Sequence, residues 1–159
     1  MMKFSNLFCS TVALGVAVAS FSSLAGCGCG CTTTTQFVLG QTDTLTNLKS
    51  VNSSLLLYVQ DYDETLPIAL SKEIVKKLTL PYAKDVSIYS DPNTSIPFEW
   101  NSYLSGRTLA SFETPSTTVS FYVGLPTVPD SRPVATLGGR PKLATDAEWV
   151  QLKTVSHIP

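Results

Sequence analysis

Between Gly40 and Tyr62 the apolar residues Leu45, Leu48, Val51, Leu55, Val59 and Tyr62 recur at spacings of three and four. That rhythm is one stripe along an α-helix, and a stripe this regular needs another layer to cover it. Leu56, Leu57 and Tyr58 widen the stripe. Asp43 falls in the first turn, where negative charge suits the helix dipole. Pro67 pushes Leu66 out of helical geometry, so the helix is expected to end near Asp63 or Glu64. Burying each Leu or Val of the stripe contributes roughly 1.5–3 kcal/mol before entropy is subtracted.

The rest of the chain is shorter in rhythm. Ser71 is a good N-cap for a second helix with Ile74, Val75 and Leu78 inside, stopped by Pro81. Beyond it, short β segments alternate with turns. Val86 to Tyr89 is read as a strand, followed by the turn Ser90-Asp91-Pro92-Asn93. Phe98 to Tyr103 is a second strand. Thr117 to Val123 is a third, with Val119, Phe121 and Val123 alternating against Thr118, Ser120 and Tyr122. Arg132 to Leu137 is a fourth, closed by Gly138-Gly139. Thr145-Asp146-Ala147-Glu148 has the spacing of a capping box and opens a last helix carrying Trp149, Val150 and Leu152. A helix first and strands afterwards predicts an α+β fold. One long N-terminal helix packs on an antiparallel sheet of three to four strands, with a short C-terminal helix. Tyr58 and Tyr62 are expected beneath the sheet.

The chain opens Met1-Met2-Lys3, continues with an apolar stretch from Leu7 to Phe21, and reaches Leu24-Ala25-Gly26-Cys27. A basic start, a short apolar core and small residues before a cut site describe a secretory signal. Its core is shorter than the roughly 20 apolar residues a membrane span needs. Leu24-Ala25-Gly26-Cys27 resembles the lipobox of bacterial lipoproteins, which implies that Cys27 receives diacylglycerol and becomes the mature N-terminus. An ordinary cut after Ala25 and a retained anchor are the alternatives. The domain layout is thus a signal peptide over 1–26, a Cys/Gly/Thr-rich lipid-anchored tether over 27–40, and a folded domain over 41–159. Cys9 is lost with the signal. Cys29 and Cys31 lie in the flexible stub, so the folded domain has no disulfide to stabilise it. Gly28 after the lipid-bearing Cys implies the periplasmic face of an outer membrane, where the cell has two membranes.

Asn47-Leu48-Lys49-Ser50, Leu55 to Pro67, Ser90-Asp91-Pro92, Asn101 to Arg107, Pro115 to Val119 and Arg132 to Lys142 with Glu148-Trp149 follow one another in order. Together they resemble the globular part of bacterial type IV pilin-like proteins, and more narrowly of type II secretion pseudopilins. The resemblance covers about Gln41 to Lys153. It implies a pilin-like fold and a role in the cell envelope or in a secretion or pilus system. Pilin-like proteins begin with a long apolar half-helix that builds filaments; here a lipoprotein signal stands in its place. The family's closing Asp-Gly-His is altered to Leu137-Gly138-Gly139-Arg140.

With 11 Lys and Arg against 12 Asp and Glu, the chain is near neutral and carries no basic patch, which argues against nucleic acid. Asp61, Asp63 and Glu64 are the densest acidic group, and oxygen ligands of this kind suit calcium. An EF-hand loop counted from Asp61 fails, because Leu66 stands at the Gly position and Lys72 at the final Glu. Solvated carboxylates at a helix end are the plain alternative. The single histidine, His157, has no acid or nucleophile beside it and is expected in a disordered tail. There is no Gly-x-Ser-x-Gly elbow, phosphate loop or His-Glu-x-x-His helix. The sequence therefore reads as a non-enzymatic membrane-anchored lipoprotein, without cofactor or small-molecule substrate, an accessory module for envelope partners. The second reading is an envelope lipoprotein that binds a small ligand or calcium.

Overall fold

The computed structural model describes the backbone of residues 33–125 and 130–159, with side chains from Gln41 onward. The signal, Cys27, Cys29 and Cys31 lie outside the described residues. The first element is α1, Thr33–Asp61. It begins within the stretch expected as tether, so residues 33–40 are helical backbone. No proline interrupts Thr33 to Leu39, and the one glycine, Gly40, costs a helix interior only about 1 kcal/mol. The stripe lies where its spacing places it: Leu48, Val51, Leu55 and Val59 are all buried. Tyr58 is buried too, but Tyr62 is 53% exposed and stacks on Tyr58 with ring centroids 4.2 Å apart, so it is not under the sheet. It sits past the end of the helix, where Tyr62 N–H reaches the carbonyl of Tyr58 and the chain turns away.

The second helix, α2, spans Lys72–Thr79, with Ser71 Oγ accepting from Ile74 N–H at the N-cap. Val75 and Thr79 are its buried residues, while Ile74, expected inside, faces water. Pro81 converts the exit into a 3₁₀ turn, Leu80–Tyr82. Val86–Tyr89 is also a 3₁₀ turn rather than a strand. The cause is local: Asp85 accepts from both the backbone N–H and the hydroxyl of Ser87, which curls the chain before it can extend.

Four strands form one antiparallel meander in the order β1-β2-β3-β4: β1 Glu99–Trp100, β2 Val119–Tyr122, β3 Ser131–Thr136 and β4 Lys142–Thr145. The expected strand from Phe98 to Tyr103 shrinks to β1, because Asn101 turns its side chain onto Tyr103 N–H and opens a 3₁₀ turn over Ser102–Leu104. α3, Asp146–Val155, follows β4 directly and carries the expected capping box between Thr145 and Glu148. Gly138 lies against the backbone of Ser116, where a Cβ would approach within 2.9 Å, so the turn closing β3 admits only glycine there.

The sheet has a core on each face. Leu48, Val51, Leu55, Phe98, Trp100, Phe121, Val123, Ala135 and Leu137 pack on the α1 side, and Val119, Val134, Ala144, Leu152 and Ile158 form a smaller cluster on the α3 side. The alternation expected along β2 breaks between Val119 and Phe121. Val119 pairs with Thr136 and Phe121 with Ala135, so β2 spends one residue more than β3. That bulge sends Val119 to the α3 side and lets both Ser120 and Phe121 look towards α1.

The chain end is docked, against the expectation of a disordered tail. Ser156 Oγ accepts from Val119 N–H at 2.8 Å, Asn101 Nδ2 donates to the Ser156 carbonyl at 2.9 Å, and Ile158 is buried. His157 lies over the Tyr103 ring, centroids 4.2 Å apart.

Candidate functional site

A cleft of about 320 Å³ lies between α2, which contributes Lys72, Glu73 and Lys76, and the stretch from Tyr89 to Phe98. Its floor is aromatic: Tyr89, Phe98 and Phe121, each nearly buried. Thr79 Oγ1 spends its proton on the Val75 carbonyl at 2.9 Å, so the Tyr89 phenol donates to Thr79 across 2.7 Å. Burial pushes the Tyr89 phenol up from its ordinary range. The rim is charged. Lys72 pairs with Glu99 at 2.6 Å, and Lys76 Nζ stands 5.5 Å from the Tyr89 ring centroid. One helical turn separates the two lysines, which is why they share the rim.

The wall opposite α2 is the loop from Ser90 to Pro97, whose ends pair as an antiparallel bridge. Asp91 organises it. Its carboxylate is fully buried and accepts from the hydroxyls of Thr44 (2.7 Å) and Thr94 (2.9 Å) and from the backbone N–H (3.1 Å) and amide (3.2 Å) of Asn93. Burial alone would raise the Asp91 carboxyl. These donors outweigh it and hold the group below the usual carboxylate range. Because Thr44 belongs to α1, the loop is tied to the long helix, and Asn47 Nδ2 adds a bond to the Ser90 carbonyl at 3.1 Å.

The acidic residues singled out in the sequence lie elsewhere. Asp61 ends α1 and accepts from the Tyr82 phenol at 2.6 Å, a bond that, with some desolvation, pushes the phenol up to about 12. Asp63 and Glu64 follow at φ of 50° and 57°, exposed in the turn that leaves the helix. Of the nearby carboxylates, Asp85 caps a 3₁₀ turn and Asp91 holds its loop. Among the described residues, no group of three His, Cys, Asp or Glu side chains is placed to hold a metal ion. Trp100 is part of the core, its indole N–H given to the Ala69 carbonyl at 3.0 Å. Trp149 is half-buried on the α3 side, under the Arg132 guanidinium.

Sequence reasoning missed the cleft. Ser90-Asp91-Pro92-Asn93 announces a turn, but nothing local reveals that Asp91 bonds a hydroxyl 47 positions upstream. No protein-family model, no curated protein and no solved structure matches the chain.

Proposed function

We propose that this chain is a non-enzymatic lipoprotein, held to a membrane through Cys27, whose α+β domain is a pilin-like accessory module of the cell envelope. The observation that carries the reading is the placing of Leu24-Ala25-Gly26-Cys27 just ahead of α1. Lipid on Cys27 would tie the membrane to a helix that packs into the core from Leu48 to Val59. The long helix, the antiparallel four-stranded sheet and the short closing helix support the pilin-like resemblance at the level of architecture. Two or more acyl chains anchor firmly, at about 0.8 kcal/mol per buried methylene. Among the described residues no helix is long and apolar enough to cross a membrane.

An interaction role is supported by the loop before α2. Ala69 is buried, and its neighbours Ile68 and Leu70 stand 80% and 79% exposed. Large apolar side chains held this far into water gain free energy when a partner covers them. The domain is a partner of envelope proteins rather than a filament subunit, because the apolar half-helix that builds filaments is replaced. Electron microscopy of the purified, processed protein is expected to show discrete particles. Helical fibres would overturn the accessory role.

A further inference from the structure

We propose that the cleft beside α2 binds a small organic monoanion, its carboxylate held by Lys76 and its flat apolar body set against Tyr89, Pro97 and Phe98. The charges on the rim decide the sign. Lys72 is committed to Glu99 at 2.6 Å. The Glu73 carboxylate is drawn back to the start of α2, where its own backbone N–H and the Ser71 hydroxyl hold it below its ordinary range. Lys76 remains, with no ion pair among the described residues, its ammonium over an aromatic ring. An ammonium in that position attracts a carboxylate by charge-assisted hydrogen bonding, and the small parts of Tyr89 and Phe98 that reach the cleft give an apolar body a surface to lie against.

The wall of the cleft argues for one negative charge rather than two. Phosphate groups are gripped by several convergent backbone N–H groups. Here the backbone donors of the loop are spent inside it: Asp91 N–H on the Ile96 carbonyl, Ser95 N–H on the Asp91 carbonyl and Phe98 N–H on the Tyr89 carbonyl. One ammonium with no such nest suits a carboxylate. Size narrows the ligand further. At about 320 Å³ the cleft is at the small end of ligand sites, enough for one or two fused rings. The floor is packed core and the wall is fixed through Asp91 to α1, so the site is formed before anything binds. This inference does not depend on lipid at Cys27, and its test fails or succeeds separately.

The probes are naphthalene-2-carboxylate and its uncharged amide, titrated into the full-length chain in a nonionic detergent against a detergent-only blank. Backbone amide shifts are the readout. We expect the resonances of Lys76, Ser90 and Phe98 to move, and the carboxylate to bind about tenfold more tightly than the amide. Lys76→Met removes that preference, Lys76→Arg keeps it, and Lys84→Met, the same loss of charge on an exposed lysine elsewhere, leaves it intact. No shift at about 10 mM probe, where even weak site binding is populated, would overturn the proposal. So would shifts confined to another surface, equal affinity for the two probes, or a carboxylate preference that survives in Lys76→Met.

Discussion

The hydroxyl of Ser120 on β2 donates to the side-chain carbonyl of Asn52 on α1 across 2.6 Å, and both residues are fully buried. The Asn52 amide in turn donates to the Thr136 carbonyl on β3 at 2.9 Å. A polar pair in the middle of an apolar interface fixes the rotation and height of the helix on the sheet, because any slip leaves buried donors and acceptors unmatched. The β2 bulge is what aims Ser120 at the helix. Asn52→Ala removes one partner each from the Ser120 hydroxyl and the Thr136 carbonyl, which keep the Ala135 carbonyl and the Gly139 N–H, and is expected to cost about 1–3 kcal/mol. Asn52→Leu combined with Ser120→Ala should cost less than the two single changes summed, since neither partner is then left alone. Urea denaturation of the four variants, Asn52→Ala, the two single changes and the double, measures this; strict additivity would remove the pair from the account.

Asp91 makes the fold sensitive to acid. Its carboxyl is held below its ordinary range in the folded chain, so its contribution is complete above the unfolded value of about 3.9 and fades as pH falls through the lower folded value. Glu148 and Asp85, also lowered, act in the same direction. Stability followed by urea melts from pH 6 to pH 2 should therefore fall, and Asp91→Asn should flatten part of that fall. An Asp91→Asn curve parallel to the parent would show that the carboxylate does not hold the loop.

Tyr82 acts at the opposite end of the scale. Its phenol, donated to Asp61, is pushed up to about 12. A raised acid stabilises the folded state below the unfolded value of about 10 and loses that contribution as pH climbs through the folded value. Tyr58, Tyr89 and Tyr122 are raised as well, so absorbance at alkaline pH should show several late-titrating tyrosines, of which Tyr82→Phe removes one and Asp61→Asn brings one down. If Asp61→Asn leaves the titration unchanged, the hydrogen bond is not formed in solution.

What was legible in the sequence is what local chemistry decides. The α1 stripe, the Ser71 cap and the Thr145–Glu148 box need only neighbours within a turn or two, and all three are in place. The Val86–Tyr89 segment misled because apolar residues in a row look alike in a strand and in a 3₁₀ turn, and the Asp85 side chain settles the matter. β4 was missed because among the described residues it pairs with β3 alone and much of it faces water, so it carries little alternation. The tail docks through bonds from Asn101 and Val119, at sequence separations of 55 and 37 that no local pattern reports. The cleft was invisible for the same reason, its floor coming from three elements and its wall from a bond to α1.

Ser156 is the pivot of that docking. Ser156→Ala deprives the buried Val119 N–H of its acceptor and is expected to cost about 1–3 kcal/mol, while Ser102→Ala, at an exposed position, stays within about 0.5 kcal/mol. Thermal melts compare the two. Equal midpoints would mean that the chain end contributes nothing to the fold.

The anchor is tested most directly at the mature N-terminus. Intact mass and N-terminal peptide spectra of protein taken from membranes are expected to begin at Cys27, with the mass of diacylglycerol and a further acyl chain, and Cys27→Ser should abolish palmitate labelling and release the protein from the membrane. An unmodified Cys27 still joined to Gly26, or a mature chain beginning at Gly26 and free in solution, would contradict it.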